Sequence, residues 1–180
     1  MSGTGGPRIY VACLAAYNNG QLHGVWIDAT DELDDIWAQI NAMLDSSPVP
    51  GAEEHAIHDY DGFFDLHLGQ YESIEHLHRL AVGIAEHGRA FAVWASLLDR
   101  AEWDDSLDSF EDHFEGVYDS YEQFGEQVLE LHGLDAELPQ LDVPETIRDY
   151  IKVDTEALGR DWAMGMQCSW SEGHLYVFFD

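Results

Sequence analysis

Basic side chains are almost absent from this chain. Its 180 residues include 7 Lys or Arg, Lys152 is the one lysine, and residues 9–78 contain neither. A surface so poor in cations should be repelled by nucleic acid and by anionic membranes, which excludes direct nucleic-acid binding and membrane association as its function. Cysteine is scarce too. Cys13 and Cys168 lie far apart, form no Cys-x-x-Cys and sit in apolar strand-like runs, so buried free thiols are expected. No apolar run approaches 18 residues and no signal-peptide pattern is present, so a soluble cytoplasmic protein is expected. No fixed-period repeat occurs, and no low-complexity segment follows the Gly-rich residues 1–7, which are expected to be disordered. There is no Gly-x-Ser-x-Gly elbow. Gly3-Thr4-Gly5-Gly6 is not a phosphate loop, because no strand precedes it and no Lys-Ser/Thr follows.

Acids are what the chain has in excess. Its 36 Asp and Glu give a formal net charge of −29, and the excess is spread throughout: 11 acids to 1 base in residues 1–68, 10 to 3 in 69–113, and 15 to 3 in 114–180. The composition is 46% hydrophobic and 12% aromatic, enough to build a core, so the charge does not signal disorder. Residues 101–147 show the conflict most clearly, with 15 acids and no Lys or Arg. Leu107, Phe110 and Phe114 nevertheless recur at helical spacing, as do Tyr121, Phe124, Val128 and Leu131. Like charges at i, i+4 cost a helix a few tenths of a kcal/mol each, roughly, so folding does not ask for this pattern. A solvated surface or adaptation to high salt would also account for one acidic helix.

Three units follow from the chain pattern. Residues 8–68 read as an α+β domain. It has a strand over 9–16, a turn at Asn18-Asn19-Gly20, a strand over 22–27 and a helix capped by Thr30 or Asp31 that buries Ile36, Trp37, Ile40, Met43 and Leu44. A third strand over 55–60 ends in an Asp61-Gly62 turn. Residues 69–115 read as short helices: one capped by Ser73 and stopped at Gly88, one over 89–100 burying Phe91, Trp94, Ala95 and Leu98, and one over 103–115. Residues 116–180 read as a second α+β unit. Ser120 caps a helix ending near His132, Pro139 and Pro144 bracket a loop, residues 145–151 suggest a short helix, and Asp154 caps another. A terminal hairpin turns at Ser171-Glu172-Gly173.

Metal chemistry has one candidate, His55-x-x-His58-Asp59 with Glu53 and Glu54 before it, which would make a metal-dependent enzyme the rival reading. In a strand, however, rings at i and i+3 face opposite sides. His76 and His78 lie on a helix, which would not give them a shared face. Carboxylates occur everywhere, so no pair stands out as acid and base, and no enzyme or cofactor is expected. In the helix expected over 119–130, Asp119, Glu122, Glu126 and Glu130 form a stripe spaced about 4.5 to 6 Å along the axis. A dimer would carry roughly −58, the charge of about 100 Å of B-DNA.

Residues 8–28 resemble the opening of ArdA-type antirestriction proteins. The specific part is Leu14-Ala15-Ala16-Tyr17-Asn18-Asn19-Gly20, then Leu22, Gly24, Trp26 and Asp28. Residues 55–63, with Asp59 and Gly62, resemble a second block of that family. Residues 150–162, with Asp154, Arg160 and Asp161, resemble its C-terminal block. The resemblance implies an elongated chain of three small domains: an N-terminal α/β domain, a central helical bundle, and a C-terminal α/β domain that forms the homodimer. It implies a mimic of bent B-form DNA that occupies the DNA-binding cleft of type I restriction-modification enzymes and protects incoming mobile DNA, with no cofactor. The carboxylates expected to stand in for phosphates are Asp31, Glu32, Asp34, Asp35, Glu53, Glu54, Asp61, Asp104, Asp105, Asp108, Glu111, Asp112, Glu115, Asp119, Glu122, Glu126 and Glu130.

Overall fold

Two three-stranded antiparallel sheets and a series of mostly short helices make up a mixed α/β chain. The computed structural model describes residues 6–134, 142, 144–148 and 150–179. They fall into two compact units, one up to residue 109 and one from 110 on. Residues 1–5 and Pro139 lie outside the described residues.

In the first unit the central strand is β1 (Arg8–Cys13), flanked by β2 (Gly24–Asp28) and β3 (His55–Asp61). Ile9, Val11 and Cys13 alternate onto the buried face, as the period of two requires, and Ile27 joins them from β2. Helix α2 (Leu33–Asp45) packs on this sheet through Ile36, Ile40 and Met43. Trp37 and Leu44, expected in its buried face, are only half-buried. Pro7, expected to belong to a disordered segment, is buried, and its carbonyl accepts the Ala29 N–H at 2.9 Å.

The strand expected over 9–16 is half helix. It stops at Cys13, and α1 (Leu14–Asn18) follows. The Cys13 Sγ accepts the Ala16 N–H at 3.5 Å, and this local cap turns the chain out of the sheet before Leu14. Asn19 and Gly20 therefore end a helix, with Gly20 at φ +73°, and do not form a two-residue hairpin turn. The cap of α2 also differs from expectation. Asp28 binds both the Thr30 N–H (2.9 Å) and the Thr30 hydroxyl (2.6 Å), which engages Thr30 in a turn, and Glu32 becomes the N-cap.

Helices α3 (Ile74–His87) and α4 (Arg89–Leu97) form the expected corner. The Ser73 hydroxyl accepts the His76 N–H, and Gly88 adopts φ +63° between the helices. Leu98 lies past the end of α4 and is half-buried. The stretch after it winds through a 3-10 turn (Arg100–Glu102), α5 (Trp103–Ser106) and a second 3-10 turn (Leu107–Ser109). The Trp103 indole N–H donates to the Ala95 carbonyl at 3.1 Å, and that of Trp94 to the Ser106 carbonyl at 3.4 Å, stitching this segment to α4.

The second unit opens with α6 (Phe110–His113), and the expected helix over 103–115 then gives way to β4 (Phe114–Tyr118). Pairing with β6 (His174–Phe178) decides this. Phe114 sits opposite Phe178, and the Phe110, Phe114 and Phe178 rings cluster with centroids 5.0, 5.8 and 6.3 Å apart. Tertiary pairing overrides the local helical spacing. β5 (Gln167–Ser171) completes the sheet, in the order β4-β6-β5. The hairpin between β5 and β6 turns at Glu172 and Gly173, with φ +47° and +85°, the double positive φ of a tight hairpin turn.

Helix α7 (Tyr121–Leu131) is capped by Ser120, and α9 (Thr155–Ala163) by Asp154; between them in sequence lies α8 (Glu145–Arg148). Phe124 and Val128 of α7 join Ala163, Leu175 and Val177 in the core of this unit. Leu131, expected to join them, is 64% exposed. Helices α7 and α9 touch backbone to backbone. A Cβ on Gly125 would lie 1.9 Å from the Thr155 carbonyl oxygen, and one on Gly159 would lie 2.0 Å from that of Tyr121.

Candidate protein-binding surface

Helix α2 presents its acids because its apolar stripe is committed to the sheet. Asp34 and Asp35 lie in its first turn, where the helix dipole favours anions, and both are exposed. Glu32 at the N-cap is exposed and makes no side-chain cap bond; Asp31 accepts from the Gln39 amide at 3.1 Å. Glu53 and Glu54 are exposed just before β3. Asp61 is exposed too, but the Arg8 guanidinium meets it at 3.1 Å. On the segment after α4, Asp104, Asp105 and Asp108 point to solvent while Trp103 and Leu107 point inward. Arg79 of α3 reaches Asp104 (3.4 Å) and Asp108 (3.2 Å), and the His76 ring nitrogen lies 2.8 Å from Asp104. Bases thus pair with particular candidates, while others, such as Asp34 and Asp35, have no ion-pair partner among the described residues.

In the second unit, Glu111 and Asp112 are exposed on α6. The expected four-residue stripe is shorter than its spacing promised. Asp119 precedes the N-cap Ser120, so it is off the helix, and the His174 ring lies 3.3 Å from it. Glu122, Glu126 and Glu130 form the helical part, outward on α7 because Phe124, Gly125 and Val128 face inward. Glu115 is on strand β4, half-buried, and accepts the Tyr118 hydroxyl at 3.2 Å. Burial first, and then the Glu115 charge, push the Tyr118 phenol up to about 12. Of the seventeen candidate carboxylates, Glu115 alone is not exposed. Two exposed acids lie outside the runs that mark the candidates: Asp45 at the end of α2, and Asp65, which Arg89 meets at 2.8 Å. The helical spacing of Asp45 from the α2 acids was the available signal.

The His55, His58 and Asp59 set does not gather into a ligand cluster among the described residues. The His55 ring lies edge-on to Trp37 (5.6 Å) and that of His58 edge-on to Tyr17 (4.6 Å), while Asp59 accepts the Tyr60 N–H. Burial lowers the His55 pKa from its ordinary 6.5. Cys13 is buried as expected, whereas Cys168 is half-buried, and burial pushes its thiol up. No helix among the described residues is long and apolar enough to cross a membrane.

In the first sequence block, Tyr17, Asn18, Asn19 and Gly20 on and after α1 and Trp26 and Asp28 on β2 take up exposed positions, whereas Ala16 of the same block is buried. Asp59 and Gly62 are exposed at the end of β3 and its turn, and Asp154, Arg160 and Asp161 are exposed on α9 and its cap. Asp154 accepts the Ala157 N–H at 2.9 Å, and Arg160 pairs with Glu156 at 2.6 Å, giving both a local structural role. A search of curated proteins finds no match to the chain. The ArdA antirestriction protein family, in contrast, matches residues 9–176, nearly the whole length, and the chain belongs to that family, whose function is antirestriction.

Proposed function

We propose that this protein mimics B-form DNA and competes for the basic DNA-binding cleft of type I restriction-modification enzymes, shielding incoming mobile DNA. It does so without chemistry of its own and without a cofactor. The observation that carries this reading is the surface: sixteen of the seventeen candidate carboxylates are exposed, in a chain of net charge −29. Three small domains, 8–68, 69–115 and 116–180, would place these acids along an elongated homodimer formed through the last of them, in the cytoplasm. Lys and Arg of the target would meet Asp and Glu here as they meet phosphates on DNA.

Competition with DNA for a type I methyltransferase core tests this. Binding should weaken steeply between about 50 and 200 mM salt. Replacing Glu122, Glu126 and Glu130 together by Gln should weaken inhibition and flatten the salt dependence. Single Asp→Asn changes should alter affinity by about fivefold or less, the scale of one exposed ion pair. Asp61 should matter least, because Arg8 already neutralises it, and Asp104 and Asp108, which share the single charge of Arg79, should matter less than acids with no basic partner among the described residues. A triple Gln variant that inhibits like the parent protein, with the same salt dependence, would sink the proposal.

A further inference from the structure

One face of the N-terminal sheet carries something a ladder of phosphate surrogates does not need. Ile9, Val11, Cys13 and Ile27 turn to the core, so their neighbours Arg8, Tyr10, Trp26 and Asp28 turn to the opposite face. There Tyr10 stands opposite Trp26, with ring centroids 5.5 Å apart, and the Arg8 guanidinium lies 4.8 Å from the Trp26 ring. Trp26 is 40% exposed, and it contributes nothing to the buried core. The platform is held in place. A Cβ on Gly24 would lie 2.8 Å from the Tyr10 Cζ and hydroxyl oxygen and 2.5 Å from the Val11 carbonyl oxygen, so the phenol end of the tyrosine rests against the glycine. Asp59 and Asp61 of β3 sit opposite Tyr10 and Arg8 on the other side. Arg8 is the one base of this face, and Asp61 holds it at 3.1 Å.

We propose that this face is an aromatic anchor within the acidic surface, docking against the basic surface of the target enzyme with Trp26 at its centre. The inference rests on the mimic reading above and adds a contact that is not electrostatic. Charge complementarity names the occupant. With Asp28, Asp59 and Asp61 against Arg8 the face is net acidic, and a basic surface supplies both the cations and the long apolar stems of Lys and Arg to cover an indole. Tryptophan with a fixed ring buries a large area at little entropic cost, which is why such residues dominate binding where they occur. The carboxylates act at a distance and are screened by salt. The Trp26 contact forms only on close approach and does not depend on ionic strength.

The test measures binding of wild type and Trp26→Ala to a type I methyltransferase core at about 50 and about 200 mM salt. Hydroxyl-radical footprinting of wild-type Trp26, free and bound, accompanies it. The expected result is a loss of about tenfold or more on Trp26→Ala, equal at both salt concentrations, and protection of Trp26 in the complex. If the variant misfolds, the footprint of the unaltered protein decides alone. Unchanged affinity with Trp26 oxidised as fast in the complex as outside it would overturn the anchor and leave the mimic standing. Failure of the wild-type protein to bind the core would overturn both.

Discussion

At the scale of single residues, the acids of this protein are not equivalent. Asp34 and Asp35 stand in the first turn of α2, and Glu122 and Glu126 stand on the outer face of α7. Asp61 is tied to Arg8, and Asp104 to both Arg79 and His76. Composition shows the excess, but the pairing of each acid requires Arg79 and Asp104, 25 positions apart, to meet across a folded interface. His55 carries a different residue-level consequence. Burial depresses its pKa below 6.5, so the unfolded chain takes up a proton at a higher pH than the folded one. The associated stability is complete above pH 6.5 and is lost as pH falls from there through the folded value. Denaturant unfolding from pH 8 to pH 5, about the span over which histidine titrates, should show stability dropping at the acid end. In His55→Gln part of that drop should vanish. An identical pH profile for the two proteins would refute the assignment to His55.

At the scale of elements, the acid-bearing helices depend on what lies behind them. Helix α7 has two like charges at each i, i+4 step of its stripe, Glu122–Glu126 and Glu126–Glu130, which weakens it by a few tenths of a kcal/mol roughly per pair. Its packing on α9 offsets this. Gly125 and Gly159 allow contact so close that a methyl group on either would overlap backbone carbonyl oxygen. Gly159→Ala should therefore destabilise the second unit by about 1 to 3 kcal/mol, the usual cost of overpacking, although alanine is the better helix former. Urea unfolding followed by circular dichroism measures it, and an unchanged midpoint would show that the helices separate at no cost. The caps at Ser73, Ser120 and Asp154 and the stop at Gly88 were legible in the sequence because capping is local chemistry between residues three or four apart. β4 was not legible, because Phe114 is placed by Phe178, 64 residues on. α1 was hidden for a different reason: its cap is local, but a cysteine thiol is not among the usual capping side chains, so the apolar run over 9–16 reads as strand.

For the whole molecule, charge sets a cost that solvent can relieve. With 36 acids and 7 bases, folding brings like charges together over the entire surface, and self-repulsion opposes compaction. Added salt screens it, since the Debye length falls from about 30 Å at 0.01 M to about 8 Å at 0.15 M. The melting temperature should accordingly rise on adding sodium chloride over that range, and scanning calorimetry reads the shift directly. A melting temperature independent of salt would mean that the carboxylates are already neutralised in the folded state. Salt should then act in opposite directions on the two properties, raising stability and weakening the binding proposed here, because repulsion within the chain and attraction to a basic cleft are both Coulombic.

The sequence by itself determined the acid excess, the lack of any apolar run approaching 18 residues, the caps at Ser73, Ser120 and Asp154, and the family blocks of residues 8–28, 55–63 and 150–162. All of these are set by composition or by neighbours a few positions apart. Only the tertiary structure decided which acids keep a bare charge, that Glu115 is half-buried on a strand, and that Asp119 leaves the α7 stripe. It also decided that Trp26 lies on the open face of its sheet beside Tyr10. Those outcomes depend on strand register and on side chains meeting from distant parts of the chain. Periodicity carries no information about either until the pairing partner is known.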